Sequence, residues 1–245
     1  MRPETLFVHA GAEADAETGA VAPPIHLSTT FVHGPSGERR AGYEYVREGN
    51  PTQDRLETAL AALEGGAGAL AYASGMAAMA GLLDCLPAGS HLLYPSDCYT
   101  GLRVLAREFL PQRGVSAAGV DMADLDAVRA ALTPATRCLW LETPSNPQLR
   151  VCDIAALAQI ARAHGAIAVC DNTFATSLLQ QPLALGADVA MHSTTKYFGG
   201  HSDVQGGALV FARRDALFAA ALHRRHVTGG VLAPFNAWLT LRGLR

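Results

Sequence analysis

Among the 19 basic residues of this 245-residue sequence, 18 are Arg and one, Lys196, is Lys. The lysine stands in the run Ser193-Thr194-Thr195-Lys196-Tyr197, before Gly199-Gly200 and directly after the apolar stretch 188–192. Arg outdoes Lys wherever only charge or forked hydrogen bonding is wanted. What Arg cannot readily do is lose its proton and become a nucleophilic amine, whereas a buried Lys can do so and form a Schiff base with a carbonyl. A lysine left over by chance would more naturally fall on a helix surface, so the position of Lys196 speaks for chemistry.

Other polar groups follow apolar runs in the same way. After 69–73 comes Ser74-Gly75-Met76, which reads either as an ordinary tight turn or as a helix N-terminus whose free N–H groups and dipole attract an anion such as a phosphate. After 166–170 comes Asp171-Asn172-Thr173; a carboxylate there either finds a cationic or hydrogen-bonding partner or caps a helix. After 137–141 comes Glu142-Thr143-Pro144-Ser145-Asn146-Pro147, whose prolines stiffen a loop able to hold Asn146 toward the same crevice. Tyr99 opens a helix after the run 91–94 and offers a flat ring for stacking. A phosphate cradle, a Schiff-base amine, a carboxylate for a pyridinium nitrogen and an aromatic face are together what pyridoxal 5'-phosphate requires.

Positioning these groups takes an alternation of elements. Short apolar runs at 69–73, 91–94, 115–120, 137–141, 166–170, 188–192 and 208–212 predict strands; 55–64, 75–86, 99–110, 125–132, 154–164 and 215–225 predict helices. Such alternation predicts an α/β fold with a mostly parallel sheet sandwiched by helices, and ligands at the carboxyl ends of its strands. A Rossmann nucleotide site is disfavoured, because Gly65-Gly66-Ala67-Gly68 precedes its strand and G-x-G-x-x-G is missing. The chain divides into an extended, Gly/Pro/Thr-rich arm (1–54), a cofactor domain (55–232) and the start of an amphipathic helix (233–245).

Composition excludes other classes. Hydrophobic residues make up 49% and charged ones 17%, with a formal net charge of −3, which describes a folded chain without the concentrated positive face that nucleic acid demands. The pairs Arg39-Arg40, Arg213-Arg214 and Arg224-Arg225 read as solvated faces. The uncharged window 65–83 carries helix-breaking Gly pairs and reads as strand, turn and helix instead of a membrane span. The start, MRPETLFVHA, lacks a signal peptide's apolar core. The five cysteines are scattered without a C-x-x-C, and Cys138 and Cys170 read as core hydrophobes. His223 and His226 sit among arginines on a surface helix and are not taken as metal ligands. These features fit a reducing cytoplasm.

At these residues the sequence resembles the transsulfuration family of pyridoxal-phosphate enzymes of cysteine and methionine metabolism. The blocks that carry the likeness are APPIHLSTTF (22–31), YEYVREGNPT (43–52), ASGMAA (73–78), ETPSNP (142–147), DNTF (171–174), HSTTKYFGGHSDVQGG (192–207) and PFNAWLTLRGLR (234–245). The resemblance implies the large domain of the aspartate-aminotransferase type, fold type I. It implies that Lys196 holds the cofactor and then shuttles protons, that Asp171 pairs with the pyridine nitrogen, and that Tyr99 stacks on the ring and helps deprotonate the incoming amine. Gly75 and Met76, through backbone N–H groups, would hold the phosphate with Ser193 and Thr195, and Asn146 would lie near the ring hydroxyl and the substrate carboxylate. Tyr45 and Arg47 match a pair that reaches the phosphate of a neighbouring subunit, implying a homodimer or homotetramer with shared sites.

Within the family the likeness is to members that replace the γ-substituent of an O-acylhomoserine with cysteine, forming cystathionine. Cystathionine γ-elimination and O-acylhomoserine sulfhydrylation are the neighbouring alternatives, and a catalytically inactive cofactor-binding module is the third. Lyases with a Cys two residues after the stacking Tyr are not matched, since Gly101 stands there. Family members continue into a smaller domain that supplies an Arg for the substrate carboxylate, and the expectation is that this domain is missing here.

Overall fold

The computed structural model describes residues 2–245 and is organised around one seven-stranded sheet. Its strands are β1 (Gly68–Tyr72), β2 (His91–Pro95), β3 (Ser116–Val120), β4 (Thr136–Glu142), β5 (Ile167–Asp171), β6 (Val189–His192) and β7 (Gly207–Phe211), in the spatial order β1-β7-β6-β5-β4-β2-β3. Pairs β2–β3, β2–β4, β4–β5 and β5–β6 are parallel, while β7 runs antiparallel to both β1 and β6. The expected mostly parallel sheet is thus formed, with one reversed strand.

Helices cover both faces, which is why the strands read as continuous apolar runs. Alternate side chains still point to opposite sides. Leu70 and Tyr72 of β1, Trp140 of β4 and Leu209 and Phe211 of β7 pack on the face covered by α3 (Gly75–Leu83) and α8 (Ala216–Thr228). On the other face Ala69, Ala71, Ala208 and Val210 meet α2 (Pro51–Glu64) and α9 (Pro234–Gly243) through Leu56, Leu60, Ala237 and Leu241. Farther along that face, Leu139 and Leu141 meet Ile154, Leu157 and Ala161 of α6 (Ile154–Ala163). Leu56 and Leu60, both fully buried, each contribute roughly 1.5–3 kcal/mol through apolar burial. Cys138 and Cys170 are buried as expected.

Local signals set the helix ends. Asn50 accepts from the Thr52 N–H at the start of α2, Pro51 occupies its first position and Gly65 closes it at φ +67°. Asp153 and Asp215 cap α6 and α8 through side-chain bonds to backbone N–H groups. Two further helices flank the sheet: α4 (Thr100–Val104), beside α3, which passes into a π turn at Leu105–Phe109, and α5 (Leu125–Ala131), beside α6 on the other face. The single helix expected over 99–110 is therefore broken in register.

Two expectations need correction. The arm expected to be extended over 1–54 opens with α1 (Pro3–His9), in which Leu6 and Phe7 pack against the α2/α9 core, and its last residues already belong to α2, which starts at Pro51. The α1 run is too short for periodicity to declare a helix. Arg225 is not solvated: it is 3% exposed, donates to the Ala71 carbonyl at 2.9 Å and pairs with Glu57. An α8 residue facing the sheet can remain charged only with such partners. Among the described residues no helix is long and apolar enough to cross a membrane.

Candidate active site

A cavity of about 220 Å³ opens where β4, β5 and β6 end and α3 begins. It is built from loops that the strands deliver, as expected for an open α/β sheet.

From β6 comes the turn carrying Ser193, Thr195 and Lys196. The Ser193 N–H donates to Thr173 Oγ1 at 2.8 Å, and the Lys196 N–H to the Ser193 carbonyl at 3.1 Å. Gly199 and Gly200 close the turn on the Thr194 and Lys196 carbonyls, each at 2.8 Å, with Gly200 at φ +71°. Lys196 lines the cavity and enters no ion pair among the described residues. Thr195 also lines it, but its Oγ1 lies 3.1 Å from the Gly206 carbonyl oxygen and 3.0 Å from the Gly206 nitrogen, so the hydroxyl is engaged in joining its turn to β7.

From β5 comes Asp171, buried, with Oδ1 accepting the Thr173 N–H at 3.0 Å. It caps no helix: the N-cap position of the short α7 (Thr176–Leu179) is Ala175. Burial raises its pKa, while the bonds from Thr173 and the nearby His192 imidazole pull the other way. Thr173 thus fastens the carboxylate to the lysine turn. Behind lies a buried polar knot, in which Glu64 Oε1 accepts from Asn172 Nδ2 at 2.9 Å and meets His192 Nε2 at 2.5 Å.

At α3, Ser74 resolves the open turn reading: its Oγ caps the helix by accepting the Ala77 N–H at 3.0 Å. The N–H groups of Gly75 and Met76, first in the helix, have no intrahelical partner. A Cβ on Gly75 would sit 3.0 Å from Ser193 Cβ and 3.1 Å from Ser193 Oγ, filling the space between helix and turn. A Cβ on Gly207 would run into the Ser74 carbonyl oxygen, so β7 can approach this turn closely only as Gly.

The remaining wall comes from β2 and β4. Tyr99 stands at the start of α4, with its side chain at the cavity. Both its own ring and Met76 Sδ occupy the space that a Cβ on Gly101 would need. Tyr99 donates its N–H to both oxygens of Glu142, at 3.1 and 2.9 Å, and the Asn146 N–H donates to Glu142 Oε1 at 2.7 Å. Burial, and next the charge of Asp171, push the Glu142 pKa up to about 7, against the pull of these two N–H groups.

The structure therefore brings together Gly75, Met76, Tyr99, Asn146, Asp171, Ser193, Thr195 and Lys196 around one cavity. It does not bring Tyr45 and Arg47 there. Arg47 donates to the His226 carbonyl at the end of α8, at 2.6 Å, and its guanidinium lies 5.4 Å from the half-exposed Tyr45 ring. Sequence reasoning missed Glu142, Thr173, Phe174 and Gln205 as lining residues. Glu142 had a usable signal, since it ends an apolar strand as Asp171 does.

The residues fit pyridoxal phosphate. The free N–H groups of Gly75 and Met76 beside Ser193 at the cavity suit a phosphate, a lysine without an ion pair among the described residues suits a carbonyl carbon, and the buried Asp171 carboxylate suits a protonated ring nitrogen. Comparison with known proteins agrees. A family model described as Cys/Met metabolism PLP-dependent enzyme matches residues 4–245. A cystathionine gamma-synthase of Mycobacterium tuberculosis is 48% identical over 244 residues, covering 99% of this chain and 63% of that protein. A cystathionine gamma-lyase of Bacillus subtilis is 39% identical over 246 residues, covering 100% of this chain and 64% of that protein. Among solved structures, a cystathionine gamma-lyase from Lactobacillus plantarum complexed with L-serine superposes with a TM-score of 0.95 at 42% identity, over 100% of this chain and 63% of that one. The chain spans about 63% of the length of such relatives.

Proposed function

The chain belongs to the Cys/Met metabolism PLP-dependent enzymes, and from that premise we propose that it serves a γ-replacement. In this reaction the Cγ–O bond of an O-acylhomoserine breaks, a Cγ–S bond to cysteine forms, and cystathionine and a carboxylate leave. The observation that carries the proposal is the convergence of Lys196, Asp171, Ser193 and the N-terminus of α3 on one cavity. Greater identity to a named synthase than to a named γ-lyase favours replacement.

Pyridoxal phosphate, when bound, supplies an electron-accepting ring conjugated to the substrate α-carbon. The Gly75 and Met76 N–H groups, with Ser193 and Thr195, would hold the phosphate. Asp171 would pair with the ring nitrogen and keep it protonated. Lys196 Nζ would hold the cofactor at its carbonyl carbon and would take and return protons at the substrate carbons. Tyr99 would stack on the ring and help deprotonate the incoming amine. Asn146 serves the ring hydroxyl and the substrate carboxylate. The arm, residues 1–54, carries Tyr45 and Arg47 to the phosphate of a second copy, in a dimer or tetramer with shared sites.

Two measurements test this reading. Borohydride should fix pyridoxal phosphate onto Lys196 with loss of visible absorbance, and Lys196→Ala should abolish that absorbance. Unchanged absorbance in the variant sinks the lysine assignment. The chain is then given O-succinylhomoserine and cysteine, with cystathionine as the expected product. The superposition on a γ-lyase favours elimination as a second reading, which would instead appear as release of a 2-oxo acid and ammonia from cystathionine.

A further inference from the structure

Glu142 is the acidic group of the cavity wall to which the proposed chemistry gives no task. It is 6% exposed and ends β4. Its carboxylate accepts the backbone N–H of Tyr99, 43 residues away in the chain, and that of Asn146, four residues on. No cation pairs with it among the described residues. The charged groups facing it are Asp171 from β5 and Asp97 from the loop after β2, both of like sign, and Lys196 shares the cavity from the turn after β6.

A carboxylate in such company is costly unless its hydrogen bonds repay the burial. Tyr99 stands at the N-cap position of α4, and Glu142 accepts its N–H from another strand, the part that a Glu three residues into the helix plays in a capping box. The same two loops are stitched once more outside the cavity, where Ser145 Oγ donates to Asp97 Oδ2 at 2.5 Å and accepts the Arg150 N–H at 3.0 Å. That outer tie holds the loops near each other, leaving the inner one to set their fine position.

We propose that Glu142 is a positioning residue that couples Tyr99 to Asn146, so that the aromatic face and the amide side of the cavity are set as one unit. The inference rests on the γ-replacement reading for what Tyr99 and Asn146 do, but the coupling itself is a property of the chain. A second carboxyl in the site then acts through the backbone of its neighbours instead of on substrate.

The test is site-resolved amide hydrogen exchange on wild type and Glu142→Gln, with and without added pyridoxal phosphate. The Gln side chain keeps the shape but offers only one acceptor oxygen. Protection at Tyr99 and Asn146 should fall together by about tenfold, while amides in the centres of β4 and β5 stay within about twofold. The visible circular dichroism of added pyridoxal phosphate should weaken in the variant, because the ring loses a fixed neighbour. Unchanged protection, loss at only one of the two amides, or loss spread evenly through the sheet would overturn the proposal. Should the variant not fold, wild-type protection at the same amides is followed between about pH 6 and 8. A joint decline as Glu142 takes up its proton supports the coupling, and pH-independent protection overturns it. Failure to bind pyridoxal phosphate sinks the functional reading, and the exchange data still decide the coupling.

Discussion

Asp171 carries opposite consequences with and without cofactor. In the cofactor-free chain, burial raises its pKa above 3.8, so its favourable contribution is complete below about pH 4 and is lost as pH rises through the raised value. Glu142 acts in the same sense between 4.5 and about 7. Asp171→Asn should therefore gain thermal stability relative to wild type as pH rises from about 4 to 8. Pyridoxal phosphate should reverse the ranking, because the ionised carboxylate then has a protonated partner; the variant's affinity should be about 10–100-fold weaker and its ligand-induced rise in Tm smaller. Equal ligand-induced shifts in the two proteins, measured by calorimetry, would remove Asp171 from the ring nitrogen. Lys196 could be singled out from residue type and place at a strand end, whereas for Asp171 the same place left a helix cap equally open until the other strand-end groups were read with it. Glu142 sits at the same kind of place, but its meaning depends on the Tyr99 N–H, and Arg225 depends on Glu57, 168 residues away. Pairings across such separations leave no local pattern.

At the scale of elements, the cradle depends on β7 lying against the turn that starts α3. Gly207→Ala places a methyl against the backbone of Ser74 and Gly75, which no side-chain rotation relieves. It should cost about 1–3 kcal/mol in urea unfolding and weaken pyridoxal phosphate binding by moving the Gly75 N–H. Gly230→Ala is the control, since its Cβ would meet nothing nearer than 3.7 Å. If both variants bind the cofactor equally well, the phosphate is not held at α3. The sheet that makes this approach was readable as seven apolar runs, and every one became a strand. Direction was not readable: β7, reversed between β1 and β6, has the same apolar texture as its parallel neighbours. The π turn after α4 and the brief α1 also escaped, the first because a register slip leaves composition unchanged and the second because seven residues give fewer than two turns of period.

For the whole molecule, the informative residues are the two that the single chain leaves outside its cavity. Arg47 occupies the C-terminal end of α8, where a cation is favoured by the helix dipole and by the His226 carbonyl it meets, and Tyr45 beside it is 41% exposed. If a second copy presents this pair to the phosphate, a site needs Lys196 from one chain and Arg47 from the other. Arg47→Ala chains alone should then require about 10–100-fold more pyridoxal phosphate before borohydride labels Lys196. Lys196→Ala chains cannot be labelled at all. Subunits of the two variants, unfolded together and refolded as mixed oligomers, should regain labelling at low cofactor concentration. In each mixed dimer, one site combines the intact lysine of the Arg47→Ala chain with the intact arginine of its partner. About half of randomly paired dimers are mixed, and only their Arg47→Ala chains should show the tight phase. Labelling in the mixture no tighter than for Arg47→Ala alone would mean that each chain completes its own phosphate site, and that the arm serves only to hold the subunit together.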